Sequence, residues 1–271
     1  MNRNERYRLV YGYAEQFLRK IVAEHPELNE KILEEHLTVR QKFNHLFELN
    51  KRLMESLLNK GGARNIIKFD EREKELTEIL YGFEPKKILE HYPSSEQLFE
   101  RFGSTFEINN ADSPLNTWKQ FSKGIISGSR FISSFVDINE FDSFVNNFSF
   151  NKYTKAALPM LLSKEINGFG FALACDFLKD SGYKNYPKPD RHLKKIFYQL
   201  GLSDSEEDYE VYKSIIEMSE AVEKDAYTVD KTFYLIGSGN FNLSENLPNT
   251  GNNEDKFIKE MKARLGQQDE N

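Results

Sequence analysis

Leu161-Leu162-Ser163-Lys164-Glu165-Ile166-Asn167-Gly168-Phe169-Gly170-Phe171-Ala172-Leu173-Ala174 carries two glycines one residue apart between apolar runs, and Asp190 follows twenty residues beyond Gly170. Apolar residues close one helix, Ile166 to Gly170 turn tightly, and an alanine-rich apolar helix begins at once. Two glycines one residue apart suit a turn where the backbone adopts unusual dihedrals and approaches something closely. Amides in such a turn, just ahead of a helix N-terminus, form a natural phosphate site.

The second helix leads to Tyr186-Pro187-Lys188-Pro189-Asp190-Arg191-His192 and then to a third. In that third helix Leu193, Ile196, Phe197 and Leu200 fall at i, i+3, i+4 and i+7, and Gly201 ends it. Asp190 sits where an N-cap belongs, a role worth about 1 kcal/mol. Capping is compatible with catalysis, because helix-start amides favour the ionised carboxylate and fix its direction. The pattern alone leaves both roles open. A dinucleotide-binding reading of Gly168-Phe169-Gly170 fails: it requires a preceding strand and a third glycine, and residues 158–163 read as helix.

This arrangement resembles the helix-hairpin-helix DNA glycosylase superfamily, the endonuclease III and mismatch-adenine-glycosylase group. There a Leu-Pro-Gly-Val-Gly hairpin grips a DNA phosphate, and an Asp within an Asp-x-His segment lies about twenty residues on. The resemblance is specific over about Leu158 to Gly239 and does not extend to the first sixty residues. It implies an all-α fold of two packed helical subdomains, with Asp190 as catalytic carboxylate. It also implies DNA contacts from Lys164, Asn167, Gly168, Phe169, Gly170, Lys188 and His192. The partner expected is double-stranded DNA carrying a damaged, mismatched or modified base, which is flipped from the duplex and excised. Bifunctional members carry a lysine two residues past the second hairpin glycine. Ala172 stands there and cannot form the Schiff base that permits strand cleavage, so a monofunctional glycosylase is expected. No cysteines follow the helix at 228–239, so neither an iron–sulphur cluster nor any other cofactor or metal is expected. The remaining alternatives are a non-catalytic helix-hairpin-helix DNA-binding protein and a helical protein-interaction module.

The net charge of −6 argues against indiscriminate coating of nucleic acid. Its distribution is uneven: residues 152–195 hold nine Lys/Arg against four acids. A localised polyanion contact and a solvated helical surface both fit such a stripe. Charged residues make up 30% and hydrophobic ones 39%, which suits a largely helical globule. The lone Cys175 excludes an internal disulfide framework. With no apolar h-region after Met1 and no membrane-length apolar run, a cytoplasmic location without membrane partners is expected.

Further helices are expected at 4–24, 28–59, 71–81, 84–91, 94–102, 115–126, 138–147, 151–163, 205–223 and 255–265, with a turn at Ser127-Gly128-Ser129-Arg130. That turn is either a DNA-facing loop or an ordinary helix connection. His36 and His45 lie nine apart without a third ligand and read as structural. Phe169, Tyr183 and Tyr186 either abut the site or pack in the core. The domain organisation expected is an N-terminal helical extension at 1–62, a glycosylase-like core at 63–245, and a flexible link with a short end helix at 246–271.

Overall fold

The computed structural model describes residues 1–241, 247 and 249–269. Among them fifteen α-helices run α1 (Arg3–Glu24), α2 (Glu30–Leu37), α3 (Leu46–Leu57), α4 (Ala63–Ile67), α5 (Glu73–Ile79), α6 (Pro85–His91), α7 (Ser95–Gly103) and α8 (Thr117–Ser133). They continue as α9 (Ile138–Asn146), α10 (Lys152–Glu165), α11 (Phe171–Asp180), α12 (Arg191–Gln199), α13 (Asp208–Ala221), α14 (Ala226–Ser238) and α15 (Glu254–Asp269). Among the described residues the only β-pairing is the isolated bridge between Asn240 and Asn249, so the protein is all-α. None of the described helices is long and apolar enough to cross a membrane.

The chain divides into a terminal unit, Met1–Arg40 with Tyr183–Asn271, and a central unit, Gln41–Gly182. This grouping differs from boundaries at 62/63 and 245/246. The reason lies in what each helix buries. In the terminal unit, Tyr7, Val10 and Phe17 of α1 share one core with Leu193, Ile196 and Phe197 of α12. Val211 and Ile215 of α13, Val229 and Phe233 of α14, and Phe257 and Met261 of α15 complete that core. The first forty residues are thus part of a core that residues 183–271 finish.

The expected helix 28–59 is two helices. Thr38 leaves α2 in an extended conformation, and α3 restarts at His45, where the Asn44 and His45 amides both donate to Glu48 Oε2 at 2.9 and 3.0 Å. The apolar periodicity runs on across this break because it serves two different cores. Leu33 is buried in the terminal unit, whereas Leu49, Leu53 and Leu57 are buried in the central one. His36 packs edge-on against Phe241 with ring centres 5.4 Å apart, and burial lowers its pKa; His45 stacks on Phe47.

In the central unit, α8 packs against α3, α6 and α7. Here the expected turn at residues 127–130 is a correction: these residues continue α8 to Ser133. Three of the residues there each have a packing partner. Gly128 faces Leu53, so close that an added Cβ would lie 2.5 Å from Leu53 Cδ2. Ser129 is buried and accepts from Asn50 Nδ2 at 3.1 Å. Ser127 Oγ accepts from the backbone N–H of Asn167 at 2.8 Å. Glycine in mid-helix costs about 1 kcal/mol of propensity; its absent side chain lets α3 and α8 approach.

The expected flexible link is also tied down in its described part, while Asn246 and Pro248 lie outside the described residues. Thr250 donates its N–H to Gly239 O at 2.8 Å, and Asn253 donates to Ile236 O at 3.1 Å. These bonds occupy carbonyls at the end of α14 that would otherwise lack partners. They also bring the start of α15 back to that helix.

A buried cation joins α3 to α11. Arg52, 9% exposed, reaches Asp180 at 2.8 Å, Asp176 at 3.3 Å and Glu55 at 3.0 Å, and Asn59 donates to Asp176 at 2.7 Å. Burial works against the charged guanidinium, but Asp180, Asp176 and Glu55 outweigh it and raise its pKa. Removing one partner of such a group leaves uncompensated buried charge, which costs about 3–5 kcal/mol. Arg52→Ala is expected to lower the unfolding free energy by about that amount, read as a fall in the urea midpoint of the full chain.

Candidate functional site

The turn quoted above joins α10 to α11. Asn151 opens α10 with a capping box, and Ile166 ends it in an extended conformation. Phe169 N–H closes the turn onto Ile166 O at 3.1 Å. The two glycines do different work. Gly168 has φ +91, a region that L side chains rarely adopt, and an added Cβ would meet Leu57 Cδ2 at 3.3 Å. Gly170 is the N-cap of α11 with φ −101 and ψ 175, ordinary extended backbone. Nothing lies within 4 Å of where its Cβ would stand. Only Gly168 is therefore required by the turn itself.

Lys164, Asn167, Gly168 and Gly170 are exposed together on the central unit. Phe169, expected as a DNA contact, is 6% exposed and packs against Phe177 with ring centres 6.0 Å apart. Its side chain belongs to the core. Ala172, on the first turn of α11, is half-buried.

Lys188, Asp190 and His192 belong to the terminal unit. The segment entering α12 is fixed by buried Pro187 and Pro189 and by Asp230, which is buried and accepts the backbone N–H of Lys188. Asp190 is the N-cap: its Oδ1 accepts from His192 N–H at 2.9 Å and from Leu193 N–H at 3.0 Å. Both bonds fall on one oxygen, and the residue is half-buried, so Oδ2 is held in a defined direction without a described hydrogen-bond partner.

His192 is placed differently from a DNA contact. It is 5% exposed, and its Nδ1 lies 2.7 Å from Glu254 Oε2. Gly237 of α14 is so near that an added Cβ would stand 2.5 Å from His192 Cβ. The imidazole therefore fills the junction of α12, α14 and α15, beside the ion pair of Lys195 with Glu254 at 2.7 Å. Tyr183 and Tyr186 are likewise buried, at 6% and 1% exposure. Among the described residues no cluster of three His, Cys, Asp or Glu side chains is arranged to hold a metal ion.

Sequence reasoning missed Ser127, which anchors the turn from another helix, and Glu254, which anchors His192 from far along the chain. Neither lies in a local pattern that signals its partner. Ser127 stands beside Gly128 at what looks like a break, and Glu254 opens a helix where acids are common in any case.

Burial pushes the Glu254 carboxyl up, but hydrogen bonds from Lys195, His192 and Asn252 outweigh it and leave its pKa below the ordinary value. A depressed carboxylate contributes stability that is present above its unfolded pKa, about 4.3, and is lost as pH falls through the lower folded value. Glu254→Gln is therefore expected to cost about 2 kcal/mol near neutral pH, as for hydrogen bonds to a charged group. It should also flatten the acid limb of stability against pH below about 4.3, measured by urea unfolding at a series of pH values.

No family model, no curated protein and no solved structure matches the chain.

Proposed function

We propose that the protein is a monofunctional DNA N-glycosylase. It grips a backbone phosphate with the turn of residues 166–170 and uses Asp190 to release a flipped damaged, mismatched or modified base. The observation that carries this reading is the open space at Gly170. Its backbone is ordinary and nothing crowds it, which leaves room for a ligand to approach the start of α11 closely. Exposed Lys164 adds a positive charge beside them, suited to a phosphate contact that sets strand register without reading sequence.

Asp190 supplies the second half of the reading. As the glycosidic bond breaks, positive charge develops on the deoxyribose, and a fixed carboxylate stabilises it without reorganising. The two amides on Oδ1 hold that geometry and leave Oδ2 to face the sugar or orient the attacking water. The resemblance over residues 158–239 supports the same partner, whereas the basic excess of residues 152–195 adds little: Lys179 is buried, and Lys184, Lys194 and Lys195 are held in ion pairs.

Asp190→Asn keeps much of the cap and deletes the charge. Base release from lesion-bearing duplexes, read after alkaline cleavage of abasic sites, is expected to fall on the order of 10²-fold or more, with duplex affinity unchanged. Release at the parental rate would make Asp190 a cap and nothing else. Duplex binding with no release from any lesion would assign the chain to the non-catalytic reading.

Gly170→Val tests the grip, because the open space lets the fold accept it. Duplex affinity is expected to drop strongly while the thermal melt stays put; equal affinity would remove the phosphate contact. With alanine at position 172, product strands should appear only after alkali, and borohydride should trap no covalent complex.

A further inference from the structure

A cleft of about 590 Å³ opens in the central unit, within the range of about 300–1,000 Å³ usual for ligand sites. Ile66 and Leu115, 50% and 83% exposed, form its apolar rim, and Trp118, at the start of α8 and only 3% exposed, packs behind it against Phe102 and Phe106. Its charged lining is Lys68 and Arg72 against one carboxylate, Glu107; the Lys68 ammonium is also paired with Glu71 at 3.0 Å, a surface contact that a phosphate can displace.

Arg72 is held in place from two sides. Its guanidinium lies 4.9 Å from the Phe106 ring centre and 5.6 Å from that of Trp118. Its Nη1 donates to Ile67 O at 3.1 Å and to Ile66 O at 3.5 Å. These bonds use one nitrogen and leave the Nε–Nη2 edge without a described hydrogen-bond partner. That edge is the fork that takes two oxygens of a phosphate or carboxylate.

The backbone around the cleft is constrained as well. Lys68 and Asn110 both line it with φ +53, in the left-handed region that is uncommon for lysine. Asn116, 9% exposed, donates to Asn109 O at 2.9 Å and Asn110 O at 3.2 Å and so fixes the loop before α8. Backbone of this kind gathers where a ligand is clamped. A second cleft, of about 200 Å³, shares Leu115 and Thr117 with the first and reaches Gly168. The two clefts thus adjoin at Leu115 and Thr117, between the turn and Arg72.

We propose that this cleft binds a nucleotide unit, with Arg72 and Lys68 on its phosphate and the exposed Ile66 and Leu115 against its base. A free mononucleotide and one unit of a DNA strand running along the adjoining clefts from the turn share this chemistry. The strand source rests on the DNA reading given above, and the free nucleotide does not.

Trp118 is the sole tryptophan, and Arg72 lies over its ring, so its fluorescence reports occupancy through that guanidinium. The full chain is titrated with thymidine monophosphate and with a short single-stranded oligonucleotide, and Arg72→Gln and Lys68→Asn are compared with the parent. Asparagine suits the left-handed backbone at position 68, so that variant keeps the fold even if the loss of Arg72 disturbs it. Saturable quenching is expected, weakened about tenfold or more in each variant, as for a lost hydrogen bond to a charged group. A response to the mononucleotide unaffected by Gly170→Val assigns the free ligand. A response confined to the oligonucleotide and weakened by Gly170→Val assigns the strand. No saturable change with either probe, or parental affinity in both folded variants, overturns the site. Quenching by the mononucleotide without base release from any lesion would overturn the proposed activity and leave this site standing; base release with a silent Trp118 would do the reverse.

Discussion

The buried guanidinium of Arg52 is the interaction on which the central unit depends. Asp176 and Asp180 lie four residues apart on one face of α11, where like charges repel. Placed between them from α3, Arg52 turns that repulsion into a clamp. A planar fork can serve two carboxylates at once, whereas an ammonium is a point charge, so lysine would be a poor substitute. Because α11 begins immediately after Gly170, fixing this helix against α3 also fixes where the turn ends. The other end is held by Leu57 beneath Gly168 and by Ser127 on the Asn167 amide. A surface turn of five residues is thus positioned by a buried charge, an apolar side chain and a serine from two other helices.

Glycine serves two structural purposes in this unit, and only the structure separates them from a position that serves neither. At Gly124 and Gly128 it permits close approach of α8 to Leu57 and Leu53. At Gly168 it permits a left-handed backbone. At Gly170 it does neither, which is why that position carries the argument for a ligand. The same contrast applies to the two carboxylates near α12. Asp190 meets two amides and stays partly open, whereas Glu254 is consumed by His192 and Lys195 inside the terminal unit.

Local patterns were legible. The stripe Leu193, Ile196, Phe197 and Leu200 is buried throughout, Asp190 caps the helix it precedes, and the turn at 166–170 lies between two helices. What periodicity could not convey was which core a helix joins. Residues 28–59 keep helical spacing across a break because both sides bury leucines, each in its own unit. Ser127-Gly128-Ser129 imitates a turn by composition, yet its residues are small because α3 lies against them. His192, expected as a DNA contact, is instead covered by Gly237 and Glu254, which arrive from far along the chain. Tertiary packing decided each of these cases, and local propensity could not.

The division of the chain also orders events during synthesis. Residues 41–182 form one contiguous unit, so all of its helices have emerged once Gly182 has. The terminal unit is complete only later, because Tyr7, Val10 and Phe17 of α1 share their core with Phe257 and Met261 of α15. At about 5–20 residues per second, α15 follows α1 by roughly 10–50 s. Through that interval the apolar face of the first helix has no finished core to enter and stays open to chaperones or to other unfinished chains.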